Sequence, residues 1–183
     1  MIAAPAALLA LVGLSASARA AELSVGPMFQ DGYRPGARAG LHWPLLDSER
    51  AGRTGSRARH VLSGGPDLAT YAVPGVHWST LPGATLAWRR TGAEGLRLEA
   101  DAGASLVVQK YLAPVYRIDD GELTQVPAAG LLTWAPTARL GVGLAPTDAR
   151  GWGLVARPSV LLERHNTWLL PTFTAELAVF WEL

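Results

Sequence analysis

The side chains able to do chemistry in this chain are few and badly spaced for it. The sequence has no cysteine, which excludes thiolate metal sites and thiol nucleophiles. Its four histidines, His42, His60, His77 and His165, show no two- or four-residue ligand spacing. No carboxylate cluster completes a metal set around them, so no metal ligand is assigned. Ser159, Glu163 and His165 share one face of an extended segment and contain the residue types of a nucleophile, an orienting acid and a base. In a strand, however, Ser159 and His165 lie roughly 20 Å apart at about 3.3 Å per residue, too far for direct contact. No catalytic residue follows from this set. Asp119-Asp120-Gly121-Glu122 lacks the spaced ligands of a calcium loop and reads as a hairpin tip. Arg50, Arg53, Arg57 and Arg59 form the densest basic stretch. Phosphate or partner binding is one use for it, but the neighbouring Gly52, Gly55 and Ser56 favour a solvated connection. No nucleotide, cofactor or nucleic-acid motif is present, and no cofactor is expected.

What remains is a set of charged residues with a different regularity. Arg97, Glu99 and Asp101 alternate with Leu96, Leu98, Ala100 and Ala102, and the alternation runs on to Leu106 and Val108. A period of two over this length is a β-strand with one apolar and one polar face. Arg139 sits in the same relation to Ala138, Leu140, Val142 and Leu144. Arg157, Ser159 and Glu163 oppose Trp152, Leu154, Ala156, Val160 and Leu162. Glu176 opposes Phe173, Ala175, Leu177, Val179, Trp181 and Leu183, where Ala178 and Phe180 interrupt the polar side. The expected functional set is a polar network of mixed sign: Arg97, Arg139 and Arg157 against Glu99, Asp101, Glu163 and Glu176.

The elements that position these residues must be strands of one all-β domain. The first twenty residues are set apart: Ile2 to Ala18 carry no charge, and Ala18-Arg19-Ala20 fits the small-x-small pattern of signal-peptide cleavage. A leader over 1–20 and a single β-barrel domain over 21–183 are expected. That domain holds 163 residues (183 minus 20), enough for eight strands. All 15 acidic residues and 15 of the 16 basic ones fall within it, giving a formal charge of zero and no global attraction to nucleic acid. The charged fraction is 17%, against roughly 25% in soluble domains. Thr91–Gly95 and Thr147–Gly151 read as tight turns, and Ala113–Pro127 as a longer, more polar loop. Leu23 to Phe29 reads as a first strand, Ala37 to Trp43 as the second, and Thr85 to Arg90 as the fourth. The third falls between Arg57 and Thr80, blurred by Pro66, Pro74 and several glycines.

Alternation does not say which face points inward; a lipocalin-type barrel buries its apolar face and a membrane barrel exposes it. The polar faces here are lightly charged and diluted by Gly, Ser, Thr and Ala, which suits a narrow interior better than a wetted surface. Trp152, Trp168 and Trp181 lie near strand ends, where an interfacial aromatic girdle places them. The chain ends on the alternating strand Phe173 to Leu183. In this plan the chain resembles the small eight-stranded outer-membrane proteins of the OmpA and OmpX kind. The resemblance implies an antiparallel up-and-down transmembrane β-barrel in the bacterial outer membrane, with both termini and the short turns in the periplasm and Ala113–Pro127 outside. It implies a structural or surface-interaction role without an open pore, with outer-membrane lipid and another envelope protein as the partner classes. A lipid-modifying outer-membrane enzyme and a soluble periplasmic lipocalin-like carrier are the alternative readings.

Overall fold

The computed structural model describes residues 21–51, 57–119, 121–126, 130–146, 151–165 and 168–183. The expected leader, residues 1–20, lies outside the described residues. The strands are β1 (Glu22–Gln30), β2 (Arg34–Ala51), β3 (Arg57–Val73), β4 (His77–Gly92), β5 (Leu96–Tyr111), β6 (Val115–Asp119), β7 (Glu122–Val126), β8 (Gly130–Leu144), β9 (Trp152–His165) and β10 (Trp168–Glu182). Eight of them close into an antiparallel barrel in the order β1-β10-β9-β8-β5-β4-β3-β2, while β6 and β7 form a separate hairpin between β5 and β8. Closure pairs β1 with β10, Leu23 facing Trp181 and Phe29 facing Ala175, so the barrel sheet leaves no free seam between its ends.

Several strands run further than turn residues alone suggest. The third strand occupies Arg57–Val73 and carries Pro66 within it. Arg50, Arg57 and Arg59 lie in the paired strands β2 and β3, with Glu49 opposite Arg59, and not in the solvated connection expected there; Arg53 lies outside the described residues. Proline is accommodated where the ladder breaks. The β1–β10 pairing skips Gly26 and Pro27, and the β4–β5 pairing skips Leu81 and Pro82. Proline has no N–H to give a neighbour, so the pairing lapses there and resumes.

The two ends of the described residues meet at one rim, the terminal rim, where the Leu183 N–H donates to the Ala21 carbonyl at 2.7 Å. The turn at Gly95, whose φ of 79° suits a residue without Cβ, lies at this terminal rim. The opposite rim carries two tight turns, one through Asp31 and Gly32 (φ 49° and 77°) and one through Gly75 (φ 74°). It also carries the excursion that contains β6 and β7. The hairpin tip lies at Gly121, with Asp119 paired to Glu122.

Candidate functional site

Strand alternation sends one set of side chains into the barrel, and that set is mostly polar. Arg38, Arg89, Arg97, Arg139 and Arg157 are all buried there, with Glu22, Asp67, Glu99, Asp101 and Glu176. Five guanidinium groups face five carboxylates, and they are interleaved. Glu99 accepts from Arg97 and, at 2.6 Å, from Arg157 Nε, with Arg89 Nε 3.6 Å away. Arg157 reaches on to Glu176 at 3.0 Å. Arg139 bridges Asp67 at 2.8 Å and Asp101 at 3.1 Å, and Arg38 lies 2.9 Å from Asp67 and 3.8 Å from Glu176. Arg97 and Arg89 share Glu22 at 2.8 and 3.2 Å. Each arginine fork therefore touches two or more carboxylates. The planar guanidinium suits this, because it offers several donors in fixed directions.

His42 extends the network. Arg89 Nη2 donates to its Nδ1 at 2.9 Å, so Nε2 carries the ring proton and donates to Thr85 Oγ1 at 2.7 Å. Arg89 Nη1 donates to Ser63 Oγ at 2.7 Å.

Six of the residues expected from sequence, Arg97, Glu99, Asp101, Arg139, Arg157 and Glu176, lie in this one cluster. Glu163 lies elsewhere, nearer the opposite rim, where Gln30 Nε2 and the Tyr71 hydroxyl donate to it at 3.2 and 3.1 Å. Sequence reasoning misses Glu22, Arg38, His42, Asp67 and Arg89. Arg38 and His42 sit on one parity of β2 and Asp67 on one parity of β3, a signal weakened by the glycines and prolines around them.

Two apolar layers complete the filling. Met28, Ala69, Tyr71, Leu81, Val107, Ala135 and Leu161 pack together on the strand halves nearer the opposite rim. Val155, Ala178 and Phe180 pack nearer the terminal rim. This explains the broken alternation at Ala178 and Phe180: both point inward as filling. Arg97 lies over the Phe180 ring, 3.7 Å from its centre. Gly153 has no Cβ because the Phe180 ring and the Leu144 carbonyl occupy that space.

The outer face is the reverse. Val25, Leu68, Leu86, Leu98, Leu140, Val142, Leu154 and Leu177 are exposed along the barrel wall. Trp43, Trp88, Trp152 and Trp181 ring the terminal rim, with Trp181 paired to Trp152, and Trp78 and Trp134 lie toward the opposite rim. Trp168 opens β10 at that same rim. Polar inside and apolar outside with aromatic bands at both ends is the arrangement of a lipid-spanning barrel, and it is the inverse of a lipocalin-type carrier.

Of the set weighed as a nucleophile, acid and base, Ser159 and Glu163 have other partners, and the His165 side chain lies outside the described residues. Ser159 Oγ bonds to Thr174 Oγ1 and Glu163 to Gln30 and Tyr71. Sequence reasoning finds no His-x-Ser pattern, yet His77 and Ser79 make one on β4. Ser79 is fully buried inside the barrel, on the wrong face for a membrane lipid. Among the described residues no group of three or more His, Asp or Glu side chains could hold a metal ion.

The fold is that of the small eight-stranded outer-membrane β-barrels. No protein-family model matches the sequence, and no curated protein matches it. Solved structures do. The N-terminal β-barrel domain of Pseudomonas aeruginosa OprF aligns over 90% of this chain and 98% of its own, at 13% identity and a TM-score of 0.54. The outer membrane enzyme PagL aligns over 88% of this chain and 99% of its own, at 12% identity and a TM-score of 0.52. At such identities the likeness is one of fold.

Proposed function

We propose that this chain is a bacterial outer-membrane barrel with a structural or surface-interaction role, and that it forms no open pore. The observation that carries this reading is the filled interior. A ring of ten interleaved charges is stacked against an apolar layer running from Met28 to Leu161, and an eight-stranded barrel is only wide enough to pack its own side chains. The terminal rim then faces the periplasm and the opposite rim the exterior. The feature left to meet a partner is the β5–β8 excursion, whose hairpin exposes Tyr116, Ile118 and Leu123. An expected leader over 1–20 supports export, and the apolar outer wall supports lipid as the surrounding medium.

The test is conductance. Purified protein inserted into planar bilayers should give no steady single-channel current, while a surface label on the β6–β7 hairpin should react on intact cells. Stable open channels would overturn the reading. The enzyme reading has less support, because Ser79, Ser159 and Glu163 are buried in the packed interior.

A further inference from the structure

The outer wall is uncharged over most of its circumference, and its cations at the terminal rim gather on one side. On β4, inward Arg89 is followed by Arg90, which points outward and is exposed. Its cross-strand partner on β3 is His60, and the partner of His60 on β2 is Ser48. These three form a row of hydrogen-bond donors across adjacent strands. The row directly above it, toward the barrel centre, is Leu46, Leu62 and Trp88, which are paired in the same way. The His60 and Trp88 rings lie 5.9 Å apart. One row below, Arg50 is exposed opposite Ala58. The acids of this hairpin sit on the other parity: Asp47 is held by Arg59 at 3.1 Å, and Glu49, exposed at the rim, is paired across the strands with Arg59. On the far side of the barrel the same rim presents Leu144, Trp152, Leu154 and Trp181, with no outward cation among the described residues.

We infer that the Ser48–His60–Arg90 row is a binding site for the phosphate of an anionic phospholipid, with Arg50 beneath it and the acyl chains against Leu46, Leu62 and Trp88. The inference rests on the membrane-barrel reading, since the site continues the lipid-facing wall. Donors without an outward acid match a phosphodiester, and a tryptophan beside them marks the depth at which lipid headgroups meet hydrocarbon. A surface cation near anionic lipid is worth about fivefold in affinity. Because this rim carries the termini, the lipid belongs to the periplasmic leaflet.

The full chain purified in detergent is the material for the test, with native mass spectrometry counting retained phosphatidylglycerol, phosphatidylcholine or lipopolysaccharide. Wild-type protein should retain phosphatidylglycerol in preference to phosphatidylcholine. Arg90→Ala with His60→Ala should lose about fivefold or more of that retention, and Arg90→Lys should keep most of it. Lys110→Ala, on β5 by the opposite rim, should change nothing. Heat-modifiable gel mobility of each variant establishes that it is folded. Equal retention of phosphatidylglycerol by the folded double variant would overturn the inference, as would a wild-type preference for lipopolysaccharide. In either case the membrane barrel itself would stand, whereas failure of wild-type protein to fold in detergent would remove the reading beneath it.

Discussion

Arg157 donates to Glu99 at 2.6 Å across the barrel interior, joining β9 to β5 although β8 lies between them. The contact places Glu99 among three guanidinium groups, those of Arg97, Arg157 and Arg89. The interior is therefore a cross-braced core in which charge takes the place that apolar packing holds in a soluble barrel.

Removing one member of such a set leaves its partners buried and uncompensated, which costs roughly 3–5 kcal/mol. Glu99→Gln should lower unfolding free energy by about that amount in urea titrations of the micelle-folded protein. Glu182→Gln, whose pair with Arg59 at the rim is part-exposed, should cost less. Equal losses for the two would contradict the clustering.

Phe180→Ala removes the largest side chain of the cluster near the terminal rim and the face on which Arg97 rests. The expected loss is about 3–5 kcal/mol. Bilayer conductance should nonetheless stay at zero, because the layer containing Leu81, Val107 and Leu161 still closes the other half. A variant that conducts would place the seal at Phe180.

Leu177 is exposed midway along β10, on the lipid-facing parity. Leu177→Arg should cost roughly 2–4 kcal/mol, and Leu183→Arg, at the rim, about 0–1 kcal/mol. Folding yields into vesicles read the difference. Insensitivity at Leu177 would mean that this wall does not meet hydrocarbon.

Replacing residues 113–126 with a short turn should leave the unfolding midpoint within about 0.5 kcal/mol of wild type, since the β6–β7 hairpin forms a sheet of its own. Any adhesion or partner binding by the protein should be lost with it. A strongly destabilised barrel would show instead that the excursion is part of the fold.

How much of this was legible depends on height within the barrel. From Leu96 to Gln109 the inward residues are mostly polar and the outward ones apolar, so sequence alone locates β5, its faces and the pair Arg97 and Glu99. In β3 and β4 the inward positions include Ala69, Tyr71 and Leu81, which belong to the apolar filling, and the buried Ala87. Both faces are then apolar at the same height and the period of two fades, which hides Asp67 and Arg89. Pro66 and Pro82 blur the same strands further. Ala178 and Phe180 disturb β10 for the same reason. The tip of the β6–β7 hairpin is legible in Asp119-Asp120-Gly121-Glu122, but its two strands are not, because strands of five residues in a two-stranded sheet carry little periodicity.

The central claim is that the apolar face meets lipid and the charged face fills the barrel. The most direct test is folding of residues 21–183 in detergent micelles against plain buffer, followed by circular dichroism and by gel mobility before and after boiling. The structure predicts a β-rich, heat-modifiable species that forms only with detergent. A β-rich monomer that is soluble and stable in buffer alone would contradict it, because the wall carrying Leu140, Leu177 and Trp181 would then have to be turned inward.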